Sequence, residues 1–331
     1  MTTIPAPMTA GDYARVIRPL LPAEAFKSGA DRLWRVAAHF AIIAACWWII
    51  HASNSMWVWA LAAVVLGHSM ICLAFIAHDT SHGAIVRSKP LRRVLEFLLW
   101  GQMCVPPTIW RRVHNKTHHL ETNTLRDPDR AWRRSEKTWL TRAYTRLFYP
   151  NLQTPLKHPL WMTHFVAYLV RNIITGLLPG HAKLPVVPHK PDFTSRERVM
   201  IVVECAIIGL GIYALWRFLP GWRFFWALPV PLIVDSTVAM FYIFTNHFLN
   251  PLCEHTDPLV GSTSVIVPRW MNWLHDNFSY HTEHHVFPGM SPRWYPEVSR
   301  LLQEKFPDRY NRIPMREAWR RLWQQEEFIK E

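Results

Sequence analysis

Long apolar runs separated by short polar turns set the pattern of this chain. From Trp34 to Ile50 only Arg35 and His39 interrupt the apolar sequence, both near its start, and the run is long enough to cross a hydrocarbon core of about 30 Å. The turn His51-Ala-Ser-Asn-Ser55 carries no Lys or Arg, and Met56 to Ala77 then makes a second span that returns the chain to its starting side. Val199 to Trp216 and Phe224 to Thr245 repeat this arrangement around the turn Leu219-Pro-Gly-Trp222. Between the two hairpins, Leu91 to Trp110 is broken by Gly101, Pro106 and Pro107, which favours an interfacial or re-entrant helix. Leu160 to Leu178 is long enough to span, with Arg171 as its single charge, so length alone leaves its placement open.

Composition supports the membrane reading. Of the 331 residues, 50% are hydrophobic and 18 are Trp, while the charges are gathered into particular stretches, the segregation that a bilayer imposes. The formal charge of +13 flanks apolar spans and carries no nucleic-acid motif, so membrane lipids rather than a nucleic acid are the expected partner. Cys46, Cys72, Cys104, Cys205 and Cys253 form no metal-binding or redox spacing and read as small buried residues. The first thirty residues hold four prolines and no apolar signal-peptide core, so the protein is expected to be held by its own uncleaved spans.

Three polar islands break this pattern, and all are rich in histidine. They are His78-Asp-Thr-Ser-His82, His114-Asn-Lys-Thr-His118-His119 and His281-Thr-Glu-His284-His285, eight imidazoles in all. Histidines four apart share one face of a helix, which pairs His78 with His82 and His114 with His118. His119 turns about 100° away and reaches toward a second metal, and His281 pairs with either His284 or His285. His247, just beyond the last span, is a ninth candidate at the same level. Imidazole suits iron, zinc, copper and nickel, so ligand type leaves the metal open. Nine histidines exceed the three or four protein ligands of one zinc site. Asp79 and Glu283, inside the boxes, are read as acceptors that orient an imidazole rather than as ligands.

The boxes also settle the topology. If Leu160 to Leu178 crossed, the third box would be stranded opposite the other two, and one metal cannot be shared across a bilayer. The chain is therefore predicted to be all-α, with four spans, in-plane or re-entrant helices and a helical cap, residues 78–198 and 247–331, that carries the metal site. Residues 1–331 read as one domain. Only Arg217 and Arg223 of the 37 Lys and Arg border the two outer turns, so termini and boxes are expected in the cytoplasm. A bacterial inner membrane is the expected location.

Polar residues inside the spans are costly and invite a role. Asp235 is predicted about 18 Å below His247, and His68 about 15 Å below His78, at the helical rise. The two are expected to pair at the far end of an acyl tunnel, or else as a simple contact between helices. His158, His164, His181 and His189 are expected at the membrane interface, with lesser roles for His255 and His275.

The boxes, in the order HxxxH, HxxxHH, HxxHH, resemble those of the membrane fatty acid desaturase and hydroxylase superfamily, nearest to its acyl-lipid desaturases. Supporting details are Asn123, Asp127-Pro-Asp129, Asn246-His247 and the run from His281 to Pro288. The resemblance covers most of Ile76 to Pro288. It implies two iron ions held by His78, His82, His114, His118, His119, His247, His281, His284 and His285. It further implies dioxygen as co-substrate and oxidation of a fatty acid, acyl thioester or acyl lipid, with desaturation as the expected outcome. Asn246 and Asn277 are placed behind the ligands. The His-Pro-Gly-Gly signature of a fused cytochrome b5 is missing, so electrons are expected from a separate ferredoxin or cytochrome b5-type donor. The basic residues Arg111, Arg112, Lys116, Arg126, Arg130, Arg133 and Arg134 would steer such a donor or contact anionic lipid. Hydroxylation, acetylenic bond formation, oxidative decarboxylation to a terminal alkene and carotenoid oxidation share the same boxes. The rival of another class is a membrane zinc hydrolase of lipid amides, which needs one metal and a carboxylate base.

Overall fold

The computed structural model describes residues 7–124, 126–129, 139–149, 160–178 and 193–325. It opens on α1 (Ala10–Ile17), whose Thr9 and Asp12 cap each other's backbone in a capping box. α2 (Leu33–Ala52) and α3 (Met56–Ser81) form the first apolar hairpin. α4 (Lys89–Gly101) and α5 (Pro107–Trp110) follow, the latter running directly into a π-helix at Arg111–His118. After α6 (His164–Leu177) comes the second hairpin, α7 (Ser195–Phe218) and α8 (Pro229–His247), with the short helix Trp222–Ala227 between them. Leu228 breaks that junction because Pro229 and Pro231 remove backbone donors from the first turn of α8.

Four helices are long and apolar enough to cross a membrane: Ala30–Ala52, Met56–Ser81, Ser195–Phe218 and Trp222–His247. They contain the four predicted spans. α4 and α6, of 13 and 14 residues, rise only about 20 Å each and fall short of the hydrocarbon thickness. Arg171 in α6 is buried and donates to Pro128 O, which ties this helix to the segment after the second box. This helix is therefore not among the four long enough to cross, as the shared side of the boxes requires.

Both hairpin turns lie at the same end of the bundle. Arg223 donates to Ile50 O, Ser53 O and Asn54 Oδ1, and the rings of His51 and Phe218 stack at 4.6 Å. α3 is the central helix, 72% buried over its apolar window against 17% for α7. It packs on α8 through Gly67, where an added Cβ would come within 2.5 Å of Pro231 O. The close approach of two spanning helices at a small residue brings their far ends, which carry His78 and His247, together.

Opposite the turns, the two ends of the chain meet. Met8 N and Tyr13 OH donate to Asp257, which also accepts from Arg309. α9 (Arg269–Leu274), α10 (His281–Val286) and α11 (Met315–Gln324) complete this end. β1 (Ser264–Ile266) and β2 (Arg312–Pro314) form a small parallel ribbon, the one departure from an all-α reading among the described residues. α11 ends at Gln324, and residues 326–331 lie outside the described residues.

Candidate metal centre

Four elements deliver the nine histidines. The last turn of α3 carries His78, with His82 capping it; the π-helix carries His114 and His118, with His119 next; α8 ends on His247; and α10 presents His281, His284 and His285. The side chains divide into two groups. His78, His82, His114, His119 and His284 form one, and His118, His247, His281 and His285 the other, each with ligating atoms within 4.8 Å of one another.

The expected pairing of His114 with His118 is kept, since their rings stack at 5.0 Å and their ligating atoms lie with Asp129 within 4.8 Å of one another. His119 N–H donates to His114 O, five residues back. That wider turn also brings His119 beside His114, so His114 belongs to the first group while sharing a face with His118. In α10 the α-helical rule holds: His281 joins His285, and their Nε2 atoms lie 3.1 Å apart. The doublets His118-His119 and His284-His285 are each split between the groups.

The nitrogens converge in the way a cation requires. Nε2 of His78, His82, His114 and His118 are buried without a hydrogen-bond partner. The remaining close contacts are also between Nε2 atoms, 2.6 Å from His281 to His247 and 3.2 Å from His284 to His119. Imidazole nitrogens aimed at one another in this way leave most lone pairs unanswered, an expensive arrangement unless a metal sits among them. Burial holds His82, His114, His119, His281, His284 and His285 well below the usual imidazole value, in the neutral form that binds metal. His118 is the exception. Burial opposes its charge, but Asp127 and Asp129 raise it to about 9.

Behind the rings, five of the nine Nδ1 atoms face another group, whereas that of His281 is buried without a hydrogen-bond partner among the described residues. His78 Nδ1 lies 3.0 Å from Asp79 and His118 Nδ1 2.9 Å from Asp127. His284 Nδ1 lies 3.1 Å from Tyr295 OH, which donates a hydrogen bond to Met290 O. His285 Nδ1 meets Thr122 Oγ1, and His247 Nδ1 faces Gly261 O. Asp79 thus stands where it was expected. Glu283 does not, because its carboxylate accepts from Ser264 Oγ and Tyr310 OH and so holds α10 to β1 and the C-terminal segment. Asn277 touches no imidazole; at φ 61° it turns the chain toward α10 while its amide donates to Pro292 O. Asn246 is buried behind His247, and its backbone carbonyl accepts from Thr263. Asp127 and Tyr295 were not singled out as imidazole anchors by sequence reasoning, since nine and eleven residues separate them from the histidines they hold.

A narrow apolar cavity reaches this cluster, with His78, His114, His118, His247 and His281 on its wall. Trp110, Phe165, Tyr168, Met240, Ile243 and Phe278 make much of the rest. His164, expected at the interface, is buried against this cavity. His68 and Asp235 do not line it, and they do not pair with each other. His68 Nε2 instead lies 3.1 Å from Nε2 of His275, whose Nδ1 meets Tyr242 OH, while Asp235 Oδ1 is buried without a partner. Counting residues along two helices gives equal depth but not the direction in which each side chain points. His158, His181, His189, Arg130, Arg133 and Arg134 lie outside the described residues.

A helical membrane protein with paired histidine groups at one end of its spans defines a class, and comparison with known proteins names it. The chain belongs to the fatty acid desaturase family, whose model matches residues 54–318. It is an oxidoreductase and an integral membrane protein. Among its relatives, the Delta(8)-fatty-acid desaturase of Borago officinalis is 24% identical over 322 residues, which cover 88% of this chain and 68% of the relative. The sphingolipid delta(4)-desaturase DES1 of Drosophila melanogaster is 25% identical over 277 residues, 80% of this chain and 72% of the relative. The fatty acid desaturase of Bacillus subtilis is 22% identical over 267 residues, 76% of this chain and 71% of the relative.

Proposed function

We propose that the nine histidines hold two iron ions and that the protein desaturates the acyl chain of a fatty acid, acyl thioester or acyl lipid. The observation that carries this reading is the convergence of nine buried or half-buried imidazoles into groups of five and four, five of them on the wall of one apolar cavity. Bound there, the irons would supply the oxidising chemistry, with dioxygen and two electrons from a separate ferredoxin or cytochrome b5-type carrier.

The chain's own residues do the rest. His78, His82, His114, His119 and His284 would hold one ion and His118, His247, His281 and His285 the other. Asp79 and Asp127 fix the tautomer of His78 and His118 so that Nε2 carries the lone pair. Trp110, Met240, Ile243 and Phe278 exclude water and align methylenes beside the centre. The boxes and termini face the cytoplasm of a bacterial cell in this reading, with residues 1–331 acting as one unit. A zinc amide hydrolase would use three or four of these ligands and leave the rest without purpose.

Hydroxylation is the second reading with support, since a mouse relative, 21% identical over 298 residues, is named a sphingolipid delta(4)-desaturase/C4-monooxygenase. Metal analysis of the purified protein, joined to mass spectrometry of lipids from a host fed defined fatty acids, tests both. Two irons per chain and products lacking two hydrogens are expected. One zinc without iron overturns the reading, and products gaining one oxygen select hydroxylation.

A further inference from the structure

A cationic cleft of ≈ 490 Å³ lies beside the second box, apart from the apolar cavity. Arg93 of α4, Arg111, Arg112 and Lys116 of the π-helix, and Arg196 of α7 line it, together with Thr108, Glu197 and the exposed Met200. Two of these cations are answered. Arg111 pairs with Glu96 and Glu204, and Arg112 with Glu197 at 3.8 Å. Arg93, Lys116 and Arg196 are exposed and make no ion pair among the described residues. Glu197 also lines the cleft, so five cations face one carboxylate there, and the excess of positive charge favours a further anion.

The position of the cleft selects the anion. Arg196 stands on the first turn of a spanning helix, and Met200 lies one turn further along it, so the charges sit at the end of the span with apolar surface beyond them. Below it, α7 presents Val199, Val203 and Ile207 to the bilayer. Such an arrangement matches an amphiphile whose phosphate sits at the surface and whose chains run down the helix. We propose that this cleft binds the phosphate of an anionic phospholipid, which is not the substrate in the metal cavity. The bound lipid would brace the π-helix from the side opposite His114 and His118. This inference stands whether or not the desaturation reading holds.

Native mass spectrometry of the purified metal-loaded protein with phosphatidylglycerol or phosphatidylcholine tests it. One phosphatidylglycerol per chain should be retained in preference to phosphatidylcholine. The double variant R93Q/R196Q should weaken retention by about thirtyfold, the effect of two cations at a membrane surface. Equal retention of the two lipids, or no change in the variant, overturns the proposal. Displacement of the lipid by excess inorganic phosphate makes this a site for soluble anions and also overturns it. So does a raised KM for an acidic electron donor in the variant with lipid retention unchanged, which would make the cleft a protein dock. Metal content and thermal unfolding check that the double variant folds; if it does not, R196Q alone, on an exposed side chain, carries the test with a smaller expected loss.

Discussion

Five of the nine imidazoles, those of His78, His118, His247, His284 and His285, have their far nitrogen against another group. Asp127 is the sharpest case, because it holds His118 Nδ1 at 2.9 Å and also accepts from Asn123 N. Replacing it with Asn keeps the shape and removes the charge. Asp127→Asn is expected to weaken metal at the His118 group by about 10–100-fold, so that metal analysis falls from two ions per chain toward one. Asp276 gives the protein a pH dependence of its own. Burial raises its carboxyl to about 6, against the opposing pull of Arg32 and Arg35. Its folded value lies above the unfolded one, so its contribution to stability is complete below about pH 4 and is lost as pH rises through about 6. Thermal unfolding of Asp276→Asn between those limits should therefore decline less with pH than that of the parent protein. The His68–His275 contact shows where residue-level reading ends: depth was legible in the count of residues, partner choice was not.

Among the elements, the π-helix and the α3–α8 contact decide the geometry of the site. The spacing of the second box announces metal ligands and pairs His114 with His118, and one widened turn adds His119 to the residues beside His114. Nothing in Arg111–His118 marks that turn in the sequence. Gly67 is easier to interpret in retrospect. A small residue halfway along a span permits close helix contact, but only the structure shows Pro231 against it. Gly67→Val should push α3 away from α8 and separate His78 from His247. Loss of roughly 1–3 kcal/mol of stability, seen as a lower melting temperature, and loss of both metals are the expected outcome. A variant that keeps its metals would show that the histidine end is positioned independently of the helix crossing.

For the whole molecule, the metal centre is also the joint between segments distant in the chain. α3, the π-helix, α8 and α10 meet there; Asn115 Nδ2 of the π-helix donates to Ser81 O of α3, and Asn123 Nδ2, just after the second box, donates to His247 O at the end of α8. Ions bound only in the folded state add stability by mass action, about 4 kcal/mol when metal stands at a thousand times its dissociation constant. Chelation should accordingly lower the melting temperature, and ferrous ion should restore it. An unchanged melting temperature in the metal-free protein would mean that the protein framework alone holds the boxes together.

The sequence by itself determined how many times the chain can cross a membrane, that its polar chemistry lies at the ends of the spans, and which nine histidines gather there. These follow from the length of apolar runs and from residue type, which need no knowledge of neighbours. The tertiary structure decided the division of the histidines into five and four, the anchoring of His118 by Asp127, the separation of His68 from Asp235 and the cationic cleft beside α7. Each of these depends on the direction in which a side chain leaves its helix and on what another segment places in front of it. Direction and partner arise from packing between distant parts of the chain, and local periodicity carries no record of either.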